Sequence, residues 1–387
     1  MKRNISIMMA VVFLLVPAIV LGMGEPGGYL PEMSAVIEGR LPAQVNEYIS
    51  QHFPGREALA RWSLAIRVLG GQREYNQIFI SGDELIPVLN PPLDYQVREN
   101  TQAIIQFARE VRVPVYVMII PTVSAIRQQS LPAFFLGQSV NQPQFIDEVY
   151  SALRGNVVVV DAYNALYVAR DQYLFYRTEN NLTALGGFHL YSSDLALGGS
   201  LLSGIARPSL QHYDIEFVRN DFLGDLYERS PFQNARADTL SIFRYRRQPR
   251  EHLVIKNPNG ERKTYHTLFP LHLLDLENNR PMDIFLGGLS AKTTITTSST
   301  YRNNLLVLGD RTALSFVPFL ANHYRTVTLL DLSQMGWDDY RAIAQLMRED
   351  FFSQILFAYS IDTYMHRPYP TWALGLLPAP DLDDYPL

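Results

Sequence analysis

A series of short apolar runs separated by helical patterns is the feature that most constrains the fold of this 387-residue chain. The runs occupy residues 113–121, 157–161, 304–309, 326–330 and 354–359. The segments between them carry apolar residues at helical spacing, at 97–111, 144–153, 312–322 and 338–348. Short apolar runs that alternate with helices are typical of parallel strands buried on both faces. The sequence therefore predicts an α/β protein with one mainly parallel sheet covered by helices.

The remaining segments differ in composition from this alternating pattern. Residues 36–68 have a mainly helical pattern with a break at Pro54, and residues 77–83 resemble a strand and turn. Residues 206–285 are irregular and rich in turn residues, which we interpret as a β-containing excursion. Five prolines exclude regular structure throughout the tail. The predicted organisation is a signal peptide or signal anchor (1–23), an N-terminal helical segment (24–72), an α/β domain (73–365) that contains the excursion, and a proline-rich tail (366–387).

The N-terminus has the pattern of a segment that enters a membrane. Lys2 and Arg3 precede a nearly unbroken apolar run from Ile5 to Met23. Its length is close to the ~20 residues that span a bilayer, which favours an uncleaved anchor. Pro17 and the small Gly22 favour a cleavable signal peptide, and we prefer cleavage near Gly22. Both alternatives predict an extracytoplasmic protein, secreted or anchored to the outer face of the cytoplasmic membrane, and the uncleaved form would contact the membrane through this segment.

Charge and cysteine content exclude several classes of function. The formal net charge is -5 and becomes -7 without Lys2 and Arg3, whereas nucleic-acid binding calls for a strongly basic surface. The chain has no cysteine, which excludes disulfides, thiolate nucleophiles and Cys-ligated metals. No phosphate-binding glycine loop is present, and the histidines lack the spacing of a metal site. We therefore expect no cofactor, no metal and no nucleic-acid partner.

A polar stretch downstream of the second predicted strand carries the first functional signal. It reads Phe175-Tyr-Arg-Thr-Glu-Asn-Asn-Leu-Thr-Ala-Leu-Gly-Gly187. This stretch resembles the signature YYRTDHHWTTLGA of the DHHW proteins, extracytoplasmic relatives of the alginate O-acetyltransferases. In that comparison Glu179-Asn180-Asn181-Leu182 stands where the family has Asp-His-His-Trp.

A second stretch resembles the same family around its nucleophile. It reads Asn304-Leu-Leu-Val-Leu-Gly-Asp-Arg-Thr-Ala-Leu-Ser-Phe-Val-Pro-Phe-Leu320, where the family has a hydrophobic strand followed by Gly-Asp-Ser. Shorter pieces at 48–56, 221–224 and 237–239 also resemble the family, in the same order along the chain. The resemblance implies a three-layer SGNH-hydrolase-like α/β fold for nearly the whole mature chain.

The residues that would perform acyl transfer in the family are replaced at every position. The resemblance assigns the nucleophilic Ser to Arg311, the general base to Asn181 and its orienting carboxylate to Glu179. Arginine has no nucleophilic lone pair, and an amide does not take up a proton near neutral pH. A family Gly-Gly-Asn segment, whose Asn helps to bind an oxyanion, corresponds to Gly287-Gly288-Leu289, and leucine has no side-chain donor. We therefore predict that the site is degenerate and that no catalytic residue is functional.

Relocated catalytic residues are an alternative that the sequence leaves open. Ser315 lies one helical turn beyond Arg311, but the residues around it are those of a packed inward stripe. His189 follows Asn181 by eight residues, which is ~12 Å along a helix and too far for a direct replacement. Asp362 and His366 resemble the Asp-x-x-His of other hydrolases with one extra residue between them.

The resemblance implies a binding or organising function for a catalytically inactive protein of the cell envelope. The expected partners are envelope polysaccharide or a membrane acyltransferase. One alternative function is an active carbohydrate esterase or O-acetyltransferase with relocated catalytic residues. Another is a purely structural envelope protein whose cleft is filled.

Arg311 raises a separate question, because a guanidinium group in a crevice near a helix N-terminus needs acceptors. We predict that Arg311 pairs with Glu179, directly or through the Asn181 side chain. The alternative is that Arg311 points into solvent or pairs with Asp310.

Overall fold

The structure is a computed structural model that describes residues 56–377, apart from residues 138, 203, 205–208, 247–250, 257–261, 276–279 and 299–301. The predictions for residues 1–55 and 378–387 lie outside the described residues. The chain divides into two compact units. One contains the chain up to Tyr75 and Ser230–Asn234, and the other contains Asn76–Arg229 and everything from Ala235 onward.

The first unit contains helix α1 (Arg56–Leu69) and the short strand β1 (Glu74–Tyr75). The guanidinium carbon of Arg67 lies 5.6 Å from the centre of the Tyr75 ring. Within the described part of the chain, no helix is long and apolar enough to cross a membrane.

The second unit is built on an eight-stranded sheet. Its strands are β4 (Val115–Ile120), β5 (Val158–Val159), β8 (Glu251–Lys256), β9 (Arg262–Tyr265), β10 (Lys292–Thr297), β11 (Asn304–Gly309), β12 (Thr326–Leu330) and β13 (Gln354–Ser360). Their order across the sheet is β5-β4-β13-β11-β12-β10-β8-β9. The pairings from β5 to β12 are parallel, and those among β12, β10, β8 and β9 are antiparallel. The five predicted strands therefore form the parallel part of one sheet.

Both faces of the sheet are buried along β4, β11, β12 and β13, as the unbroken apolar runs predict. In β11, Leu305 and Val307 belong to one apolar cluster, whereas Leu306 and Leu308 belong to another. Successive strand residues point to opposite faces, so the two clusters lie on opposite sides of the sheet. The result is the predicted three-layer arrangement.

Helices supply the two outer layers. The helices are α2 (Asp94–Glu110), α3 (Val123–Ile126), α4 (Ala133–Leu136), α5 (Gln142–Leu153), α6 (Ala162–Val168), α7 (Ala184–Ser192), α8 (Leu197–Ser200), α9 (Asp225–Arg229), α10 (Val317–Leu320), α11 (Trp337–Arg348), α12 (Ile361–His366) and α13 (Tyr369–Trp372). Buried side chains of α2, α5 and α11 pack with Leu306 and Leu308, and those of α6, α7 and α10 pack with Leu305 and Val307.

The excursion predicted at 206–285 contains β structure of two kinds. Strands β6 (Tyr213–Phe222) and β7 (Asp238–Tyr245) form a separate two-stranded antiparallel ribbon. Strands β8 and β9 extend the main sheet through β10, which the sequence analysis does not predict. A short hairpin of β2 (Ile78–Ser81) and β3 (Glu84–Pro87) matches the strand and turn predicted at 77–83.

Two predicted elements are wrong in their extent. The helix predicted at 312–322 is a 3-10 helix (Arg311–Ser315), the single turn α10 and a second 3-10 turn (Ala321–His323). Phe316 breaks it with φ near -120°, and Pro318 cannot continue the hydrogen bonding from the preceding turn. The strand predicted at 157–161 has only two residues, because it lies at the exposed edge of the sheet.

Candidate functional site

A pocket of about 230 Å³ lies at the carboxyl ends of three adjacent parallel strands. Its lining includes Ile120 at the end of β4, Ser360 at the end of β13, and Asp310 directly after β11. Residues 179–182 of the first family-like stretch also line it, as does Arg311 of the second. Crevices at strand carboxyl ends are where α/β sheets bind ligands. The sheet therefore brings both stretches to one site.

The first stretch forms a tight loop that leads into α7. The Asn181 N–H donates to the Glu179 carbonyl at 2.9 Å, and the Tyr176 N–H donates to the Asn181 carbonyl at 3.2 Å. Thr183 caps α7, with its Oγ1 accepting from the Gly186 N–H at 3.1 Å. Thr183 is therefore the N-cap of α7, which ends at Ser192.

Gly187 brings the two stretches into direct backbone contact. A Cβ atom at this position would lie 2.0 Å from the Ser315 carbonyl oxygen. Only a residue without a side chain permits this approach, so Gly187 has a structural role. The Ser315 hydroxyl is buried and donates to the Thr312 carbonyl at 2.8 Å, which makes Ser315 the packed small residue that the sequence predicts.

A buried aspartate fixes the loop from behind the pocket. Asp238 in β7 is fully buried and accepts from the Arg177 N–H at 2.7 Å and the Thr178 N–H at 2.8 Å. It also accepts from the Thr178 hydroxyl at 2.6 Å and from the Tyr173 hydroxyl. These bonds use the backbone directly before Glu179, so they position the side chain that faces the pocket.

Glu179 is a buried carboxylate with few partners. Its side chain is 7% exposed, and its Oε2 accepts from the Asp225 N–H at 3.1 Å. A Cβ atom on Gly224 would lie 2.4 Å from the Glu179 Cβ, so the backbone packs closely against it. Burial and then the nearby Asp225 carboxylate raise the pKa of Glu179 to about 7, although Arg311 opposes the shift. Glu179 is therefore partly protonated at neutral pH.

Asp310 is engaged by the backbone around it. Its Oδ1 accepts from the Thr312 N–H at 2.9 Å and caps the 3-10 helix that starts at Arg311. Its Oδ2 accepts from the N–H and the hydroxyl of Ser360, at 2.8 and 2.7 Å. Asp310 thus ties the end of β11 to the end of β13.

Arg311 lies between two carboxylates and is hydrogen-bonded to neither. Its Nε is 3.9 Å from Glu179 Oε1, and its Nη2 is 3.5 Å from Asp283 Oδ1. Both nitrogen atoms are buried, and neither has a hydrogen-bond partner among the described residues. The predicted direct pairing of Arg311 with Glu179 is confirmed as a loose ion pair. Asp283, which the sequence analysis did not single out, is the nearer of the two carboxylates.

Asn181 contacts the backbone of Arg311 and not its guanidinium group. The Asn181 Nδ2 donates to the Arg311 carbonyl at 3.3 Å, and its Oδ1 accepts from the Leu182 N–H at 2.8 Å. Two positions 130 residues apart in the sequence are therefore in contact. The proposed link through the Asn181 amide to the guanidinium group is wrong, because both ends of that amide bind backbone.

Leu289 has a packing role at the place expected for an oxyanion-binding residue. Its side chain packs against the apolar core and is not among the described residues that line the pocket. The two preceding glycines have φ of +76° and +86°, a conformation that glycine adopts without strain. A Cβ on Gly288 would lie 2.9 Å from Asp283 Oδ1, so this turn helps to place the carboxylate that faces Arg311.

Of the candidates for relocated chemistry, Asp362 lines the pocket, whereas His189 and His366 are held by groups outside it. His189 Nε2 lies 2.8 Å from the Gln172 side chain. His366 Nδ1 lies 3.0 Å from Asp362 Oδ1, but its Nε2 lies 2.9 Å from the Pro91 carbonyl. The Asp362–His366 pair is therefore formed with the second ring nitrogen held by backbone, whereas a general base needs that nitrogen to face the substrate.

The layers, the sheet order and the position of the pocket define a class of protein, the three-layer α/β domains of the SGNH-hydrolase type. The sequence profile of the DHHW proteins matches residues 95–330, and the chain belongs to the DHHW family. No curated protein sequence matches the chain.

Solved structures with the same fold include two with high coverage. A DHHW family protein from Eubacterium siraeum superposes with a TM-score of 0.64 and 16% identity, covering 79% of this chain and 98% of that one. PatB1 from Bacillus cereus, solved with a sulfonyl adduct, gives a TM-score of 0.62 and 15% identity, with 77% and 98% covered. At these identities the similarity shows the fold alone, and it confirms the predicted fold class.

Proposed function

We propose that this protein is a non-catalytic member of the DHHW family that acts outside the cytoplasmic membrane by binding an envelope glycan or an acyltransferase partner. The observation that carries the proposal is the position of Arg311. It stands at the end of β11, directly after Asp310, where the family resemblance places a nucleophilic serine.

The chemistry of the three replaced positions supports the loss of catalysis. Acyl transfer needs an activated nucleophile, a base to accept its proton and a group that orients the base. Arg311 offers no nucleophile and Asn181 offers no base, while Glu179 has no histidine to orient. Asn181 is in addition fixed by two hydrogen bonds to backbone. These positions meet as the resemblance implies, so the scaffold is retained without the reactive groups.

The lining of the pocket supports a binding role. Besides its charged side chains, the lining contains the amides of Asn180 and Asn181 and the hydroxyls of Ser360 and Thr363. Amides, hydroxyls, carboxylates and guanidinium groups together provide both donors and acceptors. Hydroxyl-rich ligands such as glycans need both kinds of partner, and specific polar groups in a cleft provide orientation.

A test of catalysis uses the purified protein with p-nitrophenyl acetate and a fluorophosphonate label. We expect the wild type and Arg311→Ser to stay at the buffer background, because the single variant gains a hydroxyl without a base. A triple variant, Arg311→Ser with Asn181→His and Glu179→Asp, is the positive control that restores all three groups. Hydrolysis by the wild type would overturn the proposal in favour of an active esterase. Hydrolysis by Arg311→Ser alone would reveal a base at another position.

A test of binding measures retention of the protein on immobilised envelope polysaccharides and on detergent-solubilised membrane acyltransferases. We expect Asp225→Ala, which alters the pocket, to reduce retention at least tenfold. Arg341→Ala is the matched control, since its ion pair with Asp338 lies on the exposed face of α11. Equal retention of the two variants would show that the pocket is not the binding site.

A further inference from the structure

We propose that the pocket accepts sugar residues that carry no negative charge and rejects those that carry a carboxylate. This inference rests on the proposed function, because it specifies the ligand of the same pocket.

The charges that line the pocket are the first argument. Four carboxylates, Glu179, Asp225, Asp310 and Asp362, face the guanidinium groups of Arg280 and Arg311, which leaves an excess of two negative charges when all are ionised. Asp283 adds a further carboxylate 3.5 Å from Arg311. A ligand carboxylate would enter a space in which the acidic groups already outnumber the basic ones.

The placement of Arg311 is the second argument, because an arginine in a pocket would ordinarily indicate an anion site. Its Nε and Nη2 atoms are covered by protein, and they lie 3.9 Å from Glu179 Oε1 and 3.5 Å from Asp283 Oδ1. A ligand carboxylate that approached either atom would come close to one of these two acidic side chains. Arg311 therefore offsets charges of the protein itself and is not arranged as a receptor for an incoming anion.

The hydrogen-bonding capacity of the lining is the third argument. A sugar hydroxyl both donates and accepts, so it can donate to a pocket carboxylate and accept from an amide or a guanidinium group. A carboxylate only accepts, and it would leave Asp225 and Asp362 without a donor from the ligand. Uncharged hydroxyl-rich residues thus match the lining in charge and in hydrogen bonding.

The experiment compares oligosaccharide pairs that differ only in the carboxyl group. Suitable pentasaccharide pairs are β-1,4-glucan with β-1,4-glucuronan, β-1,4-mannan with β-1,4-mannuronan, and methyl-esterified galacturonan with galacturonan. Titration calorimetry at pH 8 keeps Glu179 ionised, because its pKa is raised to about 7 by burial and by Asp225. For each backbone that binds, we expect the uncharged member to bind at least about tenfold more tightly at low ionic strength. The ratio should shrink at about 0.5 M salt, where exposed charges are screened.

Two variants identify the source of the selectivity. Asp225→Asn keeps the shape of a pocket carboxylate and removes its charge, so we expect it to reduce the preference severalfold. Asp221→Asn makes the same change on an exposed strand residue, 71% exposed, and should leave the preference unaltered.

The outcomes separate this inference from the proposed function. Equal or tighter binding of the carboxylated sugar overturns charge selection and leaves glycan binding intact. If neither member of any oligosaccharide pair binds, both glycan binding at this pocket and the proposed charge selection are overturned. An unchanged preference in Asp225→Asn would show that the pocket carboxylates do not set the selectivity.

Discussion

Two charged groups in the same unit, the buried Asp238 and the partly buried Arg311, are accommodated in opposite ways. Asp238 is fully buried and accepts four hydrogen bonds from Tyr173, Arg177 and Thr178. In the part of the chain that the structure describes, two buried N–H groups of Arg311 have no acceptor, and the carboxylates of Glu179 and Asp283 lie 3.9 and 3.5 Å away. The two environments adjoin, because Thr178 belongs to the first and Glu179 to the second.

The difference separates the contacts that hold the loop in shape from the contacts of a charged side chain at the pocket. A buried polar network with every partner in place is rigid and costly to disturb, whereas a partly satisfied one contributes little to stability. The Asp238 network positions the loop regardless of which side chains follow Thr178. Among the described residues, the Nε and Nη2 atoms of Arg311 have no hydrogen-bond acceptor, so its environment is only partly satisfied.

The largest expected effect is the loss of the Asp238 network. Asp238→Ala leaves four donors without an acceptor in a buried position, and we expect it to lower the free energy of unfolding by about 4 kcal/mol. Asp283→Ala is the matched change beside Arg311. It should lower the free energy of unfolding by about 1 kcal/mol, because the ion pair between Asp283 and Arg311 is long and partly exposed. Urea denaturation of both variants at pH 7 measures the difference. Equal losses would refute the contrast between the two environments.

The second largest effect on stability is expected from the protonation of Glu179, which makes the free energy of unfolding depend on pH. Its pKa of about 7 in the folded state exceeds the ordinary value of 4.5, so the folded state binds this proton more tightly. The resulting stabilisation is fully present below pH 4.5 and is lost as the pH rises through 7. As the pH rises from 4 to 8, the free energy of unfolding of Glu179→Gln should therefore increase by about 3 kcal/mol relative to that of the wild type.

Urea denaturation across that pH range tests this expectation. Glu216→Gln, a substitution of a half-exposed glutamate in β6, is the control and should show no comparable gain. If the difference in the free energy of unfolding between Glu179→Gln and the wild type did not change with pH, the pKa of Glu179 would not be raised in the folded state.

The smallest expected effect on stability comes from Arg311 itself. Arg311→Met removes two unsatisfied N–H groups together with two loose ion pairs, so at pH 5 the free energy of unfolding should change by at most about 1 kcal/mol. The same variant should raise the pKa of Glu179 further, because Arg311 is the cation that opposes the shift. Carboxyl carbon NMR measures that pKa. A fall in the pKa would show that Arg311 does not interact with Glu179.

The parallel sheet was predictable from the sequence because its strands are buried on both faces. The strands at 304–309 and 326–330 match the prediction to the residue, since their apolar runs end at polar residues. Strand β10 was not predicted because Lys292-Thr-Thr-Ile-Thr-Thr297 has one strongly apolar residue, although its β-branched residues favour a strand. For the excursion, the sequence predicted β structure but not the bounds or the pairing of its strands, because strand pairing depends on contacts between residues far apart in the sequence.

The part of the site that the two family-like stretches form, at residues 175–187 and 304–320, was predictable from the sequence. Glu179, Asn181 and Arg311 meet because strand ends gather at one edge of the sheet. Asp283 could not be identified from local sequence, because its approach to Arg311 depends on the long-range placement of the excursion. The hydrogen bonds of the Asn181 side chain to backbone could likewise not be predicted from local sequence, because they depend on the path of the loop.

The contact between Gly187 and the Ser315 carbonyl has a consequence for recognising relatives of this protein. A side chain at Gly187 would force the two stretches apart whether or not the protein performs chemistry. A search pattern built on Thr178, Gly187 and Asp238 should therefore retrieve enzymes and non-enzymes of this architecture together. The residues at Glu179, Asn181 and Arg311 would then sort the retrieved sequences into the two groups.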